Sequence, residues 1–386
     1  MNPKAIEPAR YTTSKGLRLV HRARRFLALP LLGETAGVSG TRASNVIRLM
    51  GIGTCRLIVT SAFLLLSFRI AVASETNLSA HPTLILVIGA PGEAEFGSNF
   101  LQQATLWQKA ATQGNCSRIT IGLSEPGQTN DCDLIRQTLV AEPKEGLSPL
   151  WLVMLGHGSF DGKEAKFNLR GPDISATELS LWLKPFKRSL ILIDTSSSSA
   201  PFLTRLSATN RVIITATRSG HEQNFTRFGK FFAEAITDPA SDLDKDGSIS
   251  VLEAFLMASR QTAAFYKSEG RLASEHALLD DNGDGLGTPA DWFQGLRAVK
   301  KPKDAAAVDG LLAQQIHLVG SDSDKALTPE QIARRDALER AVLLYREKKD
   351  KVPEDEYYRE LEKLLLEVAR FYGSNSLVSP TVQNGR

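Results

Sequence analysis

The feature that most constrains this chain is a series of short, almost uninterrupted apolar runs separated by longer amphipathic ones. TLILVIGA (83–90), SRITIGL (117–123), PLWLVML (149–155), RSLILID (188–194) and NRVIITATR (210–218) read as strands. Between them, FLQQATLWQKAAT (100–112), the stretch from Asp131 to Val140, ISATELSLWL (174–183) with Ser175 as its cap, and the stretch from about Asn224 to Ile236 carry helical spacing. A strand that is apolar on both faces must be covered on both, and strand–helix alternation supplies that cover when the strands run parallel. The expectation is an α/β domain over residues 75–237, a parallel sheet with helices on both faces.

The remainder divides by composition. Residues 238–299 are rich in Asp and Gly around one clear helix, VLEAFLMASRQTAAFYKS. KKPKDAAAVDG (300–310) is linker-like, and residues up to 373 read as two charged amphipathic helices split at Pro353. Their spacing fits a hairpin packed back on the domain, with an interaction arm as the other reading. Residues 374–386 read as a disordered tail.

Residues 1–74 read as an N-terminal extension and leader. Residues 1–49 hold nine Lys/Arg against Glu7 and Glu34, and Arg56 and Arg69 follow before residue 75, so the net charge of +3 leaves −6 for residues 75–386. A basic surface for nucleic acid is therefore not expected. From Met50, an early Arg56, an apolar stretch from Leu57 to Phe68 and the small-x-small Ala71-Val72-Ala73 predict a secretory leader cleaved near Ala73, although 49 residues precede it. An Arg-rich organelle transit segment is the competing reading, and the apolar stretch is shorter than a membrane span. The mature chain is thus expected to be exported, without a stable membrane span. Its two cysteines, Cys116 and Cys132, are either free or joined across a short loop worth about 3 kcal/mol. Oligomeric state is not legible.

Two acidic stretches carry metal chemistry. DLDKDGSISVLE (242–253) places Asp242, Asp244 and Asp246 at positions 1, 3 and 5 of a twelve-residue EF-hand calcium loop, with Gly247 at the sharp turn. Ser248 supplies a carbonyl at position 7, Ser250 stands at 9 and Glu253 at 12. A hard cation takes about six to eight oxygens near 2.4 Å, and this spacing wraps them around one point. DDNGDGLGTPAD (280–291) is weaker. Asp280, Asn282 and Asp284 fit, but Gly287 stands where an aliphatic belongs and Asp291 reaches less far than Glu. Calcium in another geometry, pairing with the first loop, and a plain tight turn all remain open for it.

LVMLGHGSFDG (152–162) places His157 just past a strand, and LILIDTSSSSAP (190–201) places four serines just past the next. Residues beyond the carboxyl ends of adjacent parallel strands meet at the ligand crevice, so the serines are not read as a linker. Strand-GHGS, strand-acid-small-x-x-Ser and strand-TA, in that order, resemble the caspase and legumain-like clan of cysteine peptidases over residues 83–237. The added acidic loops are similar to those of bacterial legumain-like proteins. The resemblance implies a catalytic dyad at His157 and position 196, where Ser196 stands instead of cysteine. It also places Arg218, Ser219, His221 and Glu222 near a substrate pocket, though a solvated loop explains them equally. A hydroxyl needs a tightly positioned base that a thiol does not. The expectation is a calcium-binding pseudo-peptidase that binds peptides or protein partners; the alternative is a hydrolase using a Ser196–His157 dyad.

Overall fold

In the computed structural model, which describes residues 81–124, 130–305 and 307–375, the first apolar runs become β1 (Thr83–Ile88), β2 (Ser117–Ile121) and β3 (Leu150–Leu155). A small antiparallel sheet follows, made of β4 (Gly158–Phe160), β5 (Ala165–Phe167) and β6 (Ile174–Ser175). The chain returns to the main sheet as β7 (Leu190–Asp194), β8 (Arg211–Thr215), β9 (Leu278–Asp280) and β10 (Thr288–Pro289). The main sheet has seven strands in the order β2-β1-β3-β7-β8-β9-β10. The first five are parallel, and β9 and β10 add antiparallel at one edge. The expected leader, its cleavage near Ala73 and the tail after Asn375 lie outside the described residues.

Helices cover both faces, as the apolar strands require. Successive strand residues point to opposite sides. Leu84, Leu86 and Ile88 of β1 pack with α1 (Ala94–Gln113), while Ile85 and Val87 pack with α2 (Asp131–Ala141), α3 (Ala176–Leu183) and α4 (Ala200–Leu206). The α1 face also holds α5 (Phe228–Ala235) and α6 (Val251–Ser268), and there Trp107 stacks on Phe232 with ring centroids 5.9 Å apart. Ser175 caps α3 through a reciprocal capping box with Glu178, as its sequence position implies.

Three elements differ from the sequence reading. Helix α1 begins at Ala94, six residues before the expected start at Phe100, because Gly97, Ser98 and Asn99 are weak helix formers that interrupt the apolar periodicity after Phe96. Helix α4, directly after the serines, is only seven residues long and was not expected. The second acidic stretch supplies β9 and β10, so the 238–299 segment is built into the sheet. Val251, Leu252, Ala254, Phe255 and Ala258 of α6 share one core with the sheet.

The two cysteines are free. Cys116 packs against the α1 face and Cys132 against the opposite one, so the sheet stands between them. Burial pushes the Cys116 thiol up to about 12, which disfavours its thiolate.

Helices α7 (Pro329–Arg346) and α8 (Glu354–Asn375) form the expected hairpin. It has a small core of its own around Val342, Tyr357, Leu361 and Val368, apart from the cores flanking the sheet. Polar ties join it to the body, among them Gln315 Nε2 donating to the Asp336 carbonyl at 2.7 Å. Among the described residues, no helix is long and apolar enough to cross a membrane.

Candidate functional site

The β1-α1-β2 connection moves to one side of β1 and β2-α2-β3 crosses back to its other side, which places the topological switch point between β1 and β3. Pro91 follows β1, His157 follows β3, the serines follow β7 and Arg218 to Glu222 follow β8. Because β9 runs antiparallel to β8, His276 just ahead of it reaches the same edge of the sheet.

The serines are interior. Ser196, Ser197, Ser198 and Ser199 are 0%, 4%, 1% and 0% exposed. Ser196 donates from both its backbone N–H (3.0 Å) and its Oγ (2.6 Å) to Asp194 Oδ1. Ser197 Oγ donates to the Gly158 carbonyl at 3.0 Å and accepts from the Gly158 N–H at 3.2 Å. Ser198 turns the chain with φ of 55°, and its N–H donates to the Glu222 carbonyl at 2.8 Å. Ser199 Oγ pairs with Thr217 Oγ1 at 3.1 Å. Three of the four side chains thus serve polar groups that the turn buries, as a buried backbone demands.

His157 and Ser196 lie close in space but do not bond to each other. His157 Nε2 stands 3.2 Å from the Pro91 carbonyl oxygen, and its ring meets those of Phe96, Phe100 and Phe225 at 4.7, 5.3 and 5.8 Å. The Ser196 hydroxyl donates its hydrogen bond to the carboxyl of Asp194, which is itself fully buried. Asp194 Oδ2 has no hydrogen-bond partner. Burial pushes this carboxyl up to about 6, against the opposing pull of the Ser196 hydrogen bonds. A buried hydroxyl bonded to an acid, beside an imidazole turned elsewhere, is not arranged as a base-activated nucleophile.

A close backbone approach fixes this geometry. A Cβ at Gly158 would lie 2.2 Å from the Ser197 carbonyl oxygen and 2.8 Å from Ser196 Oγ. Gly158→Ala is therefore expected to cost about 2 kcal/mol by overpacking, measured by urea unfolding. A neutral result would mean that the serine turn gives way freely.

Of the pocket candidates, Glu222 is the most engaged. Its carboxylate accepts from the Arg218 N–H at 3.0 Å and from the His276 N–H at 3.2 Å, and it pairs with His276 Nδ1 at 2.6 Å. Arg218 Nε stands 3.4 Å from it. Ser219 Oγ accepts from the His221 N–H at 3.1 Å, and the His221 ring meets Phe160 at 5.3 Å. His276 was missed by the sequence reading, because only the antiparallel addition of β9 brings it here.

The first acidic loop brings three of its predicted carboxylates together. Ligand atoms of Asp242, Asp244 and Asp246 lie within 4.8 Å of one another. Lys245 and Gly247 take φ of 60° and 91°, which turns the backbone inward so that the Asp246 and Gly247 N–H groups donate to Asp242. Glu253 is buried over the loop, and burial raises its carboxyl. One of its oxygens accepts from the Leu243 and Asp244 N–H groups, and the other from the Ser250 N–H and Oγ. The donor set is all oxygen, which suits a hard cation.

The second stretch differs. Asp280 accepts from the Gly283 and Gly285 N–H groups, and Asn282 from that of Asp284, which closes a tight turn. The stretch leads into β10 and a short 3-10 turn that carries exposed Asp291, in place of an EF-hand helix. It does not pair with the first loop. The bridge partner of Ser250 is His317. Neighbouring Asp281, also missed, accepts from the Gly310, Leu312 and Ala313 N–H groups and clips that segment to the sheet.

No family model matches the chain, and no curated protein does. Solved structures similar to it include the Drosophila initiator caspase Dronc, 14% identical over 53% of this chain and 81% of that one, with a TM-score of 0.35. Caspase-1 from Spodoptera frugiperda is 8% identical over 52% of this chain and 87% of that one, with a TM-score of 0.34. The Geobacter sulfurreducens protein GSU0716 is 11% identical over 52% of this chain and 92% of that one, with a TM-score of 0.36.

Proposed function

We propose that this chain is an exported, calcium-binding protein of caspase/legumain-like design that lacks peptidase activity and binds a peptide or protein partner at the carboxyl edge of its sheet. The observation that carries this reading is the fully buried Ser196, whose Oγ donates to Asp194, beside a His157 held by the Pro91 carbonyl and three phenyl rings. An imidazole that does not reach the hydroxyl cannot take its proton. Arg218 and Glu222 at the same edge offer opposite charges to a bound chain. The converging carboxylates of Asp242, Asp244 and Asp246 support the calcium part of the reading. Export rests on the leader pattern of residues 50–74.

The test is turnover of peptide and ester substrates in calcium and in chelator, with a serine-reactive probe in parallel. Wild type and His157→Ala are expected to be indistinguishable from buffer, and the probe is expected to label nothing. Hydrolysis by wild type that disappears in His157→Ala would sink the reading and establish the dyad.

A further inference from the structure

We propose that His276, oriented by Glu222, is the hydrogen-bond acceptor with which this edge of the sheet holds the main chain of an extended peptide, and that Arg218 is the matching donor. The inference rests on the partner reading above and names the groups that do the binding. Thr215 of β8 pairs with Leu278 of β9, and the same antiparallel register carries His276 level with Thr217, next to Arg218. Thr217 Oγ1 is itself bonded to Ser199. The serine turn, the turn after β8 and His276 therefore follow one another along the edge.

One carboxylate orients both groups. Glu222 Oε1 meets His276 Nδ1 at 2.6 Å and Arg218 Nε at 3.4 Å. Its Oε2 accepts from the Arg218 and His276 backbone N–H groups, and its main-chain carbonyl accepts from Ser198, so three segments fix this acid in place. A carboxylate on Nδ1 keeps the hydrogen of a neutral imidazole on that nitrogen and leaves Nε2 as an acceptor. Among the described residues, nothing hydrogen-bonds to Nε2 of His276 or to the two terminal guanidinium nitrogens of Arg218. Both side chains reach solvent, at 35% and 61% exposure. Ser196 and His157 lack that freedom, because the hydroxyl is buried on Asp194 and Nε2 of His157 is taken up by Pro91. An acceptor and a donor that share one carboxylate oxygen stand side by side. A peptide unit offers one N–H and one C=O, so it satisfies both, whatever its side chain.

The experiment screens the full chain against an array of capped random octapeptides and measures the tightest binders by calorimetry. His276→Ala is expected to weaken these peptides about tenfold, and His276→Gln, which keeps an acceptor, to restore part of the loss. Methylating the peptide N–H groups one at a time is expected to weaken binding to wild type at one position and to cost His276→Ala nothing there. Melting curves of both variants show that the fold is intact. Equal affinities in wild type and His276→Ala overturn the inference and leave the partner reading standing. A methyl group that costs both proteins the same at every position also overturns it, because the imidazole would then receive no main-chain N–H. An array on which nothing binds removes both readings together.

Discussion

At pH 8, Asp194→Asn is expected to be more stable than wild type, an unusual result for a change at the centre of a buried site. Burial raises the folded-state pKa of Asp194 to about 6 from an ordinary 3.8. Between these values the folded chain holds a proton that the unfolded chain has released. The group's contribution is therefore fully present below about pH 4 and is lost as pH rises through about 6. Two units correspond to roughly 3 kcal/mol. Asparagine removes the buried charge, and its carbonyl can still accept from the Ser196 N–H and Oγ. Its amide N–H groups would occupy the place of Oδ2, which has no partner, and that returns about 1–3 kcal/mol. The expected net gain at pH 8 is about 1 kcal/mol, shrinking as the pH falls towards 4. Urea unfolding of both proteins at several pH values reads the difference directly, and subtraction cancels the other buried acids. A constant difference across that range would mean that Asp194 does not titrate as its burial implies.

Glu253→Gln is expected to abolish the calcium-dependent part of the chain's stability. With calcium at about 100 times its dissociation constant, the folded state gains about 2.7 kcal/mol, which moves the melting midpoint by several degrees. Glu253 stands at loop position 12, where a calcium loop requires two carboxylate oxygens. Glutamine offers one oxygen and an N–H group that repels the ion. In chelator the variant is expected to melt below wild type, because its amide NH2 would face the Leu243 and Asp244 N–H groups that a carboxylate oxygen accepts from, so the comparison reads the calcium-dependent shift of each protein against its own chelator baseline. A calcium shift of equal size in both proteins would place the ion elsewhere. No shift in either would reduce the loop to a helix-capping turn.

The two variants probe sites of unequal legibility. The clustering of Asp242, Asp244 and Asp246 was readable, because the three lie within five positions and one backbone turn brings them together. The strands were readable because a parallel strand buried on both faces has to be apolar throughout, as Leu84 to Ile88 and Leu190 to Ile193 are. The placement of His157 and of the serines at one edge followed from those strands. Their bonding did not follow, since it depends on which groups the turn buries and on distances of a few tenths of an ångström.

The sequence by itself therefore determined the alternating α/β plan, the Ser175 cap, the acidic turn of Asp242, Asp244 and Asp246 and the splitting of the C-terminal helices at Pro353. Each is written in short-range spacing, where local backbone geometry acts alone. Only the tertiary structure decided that Ser196 bonds to Asp194 and His157 to Pro91, that Cys116 and Cys132 stand on opposite faces, and that β9 brings His276 to Glu222. It also decided that the acidic loop faces α7. Ser196 and Asp194 are near in sequence, but their bond depends on the burial of the turn that holds them. The other relations join segments tens of residues apart and are fixed by packing both faces of one sheet at once, which no local pattern encodes.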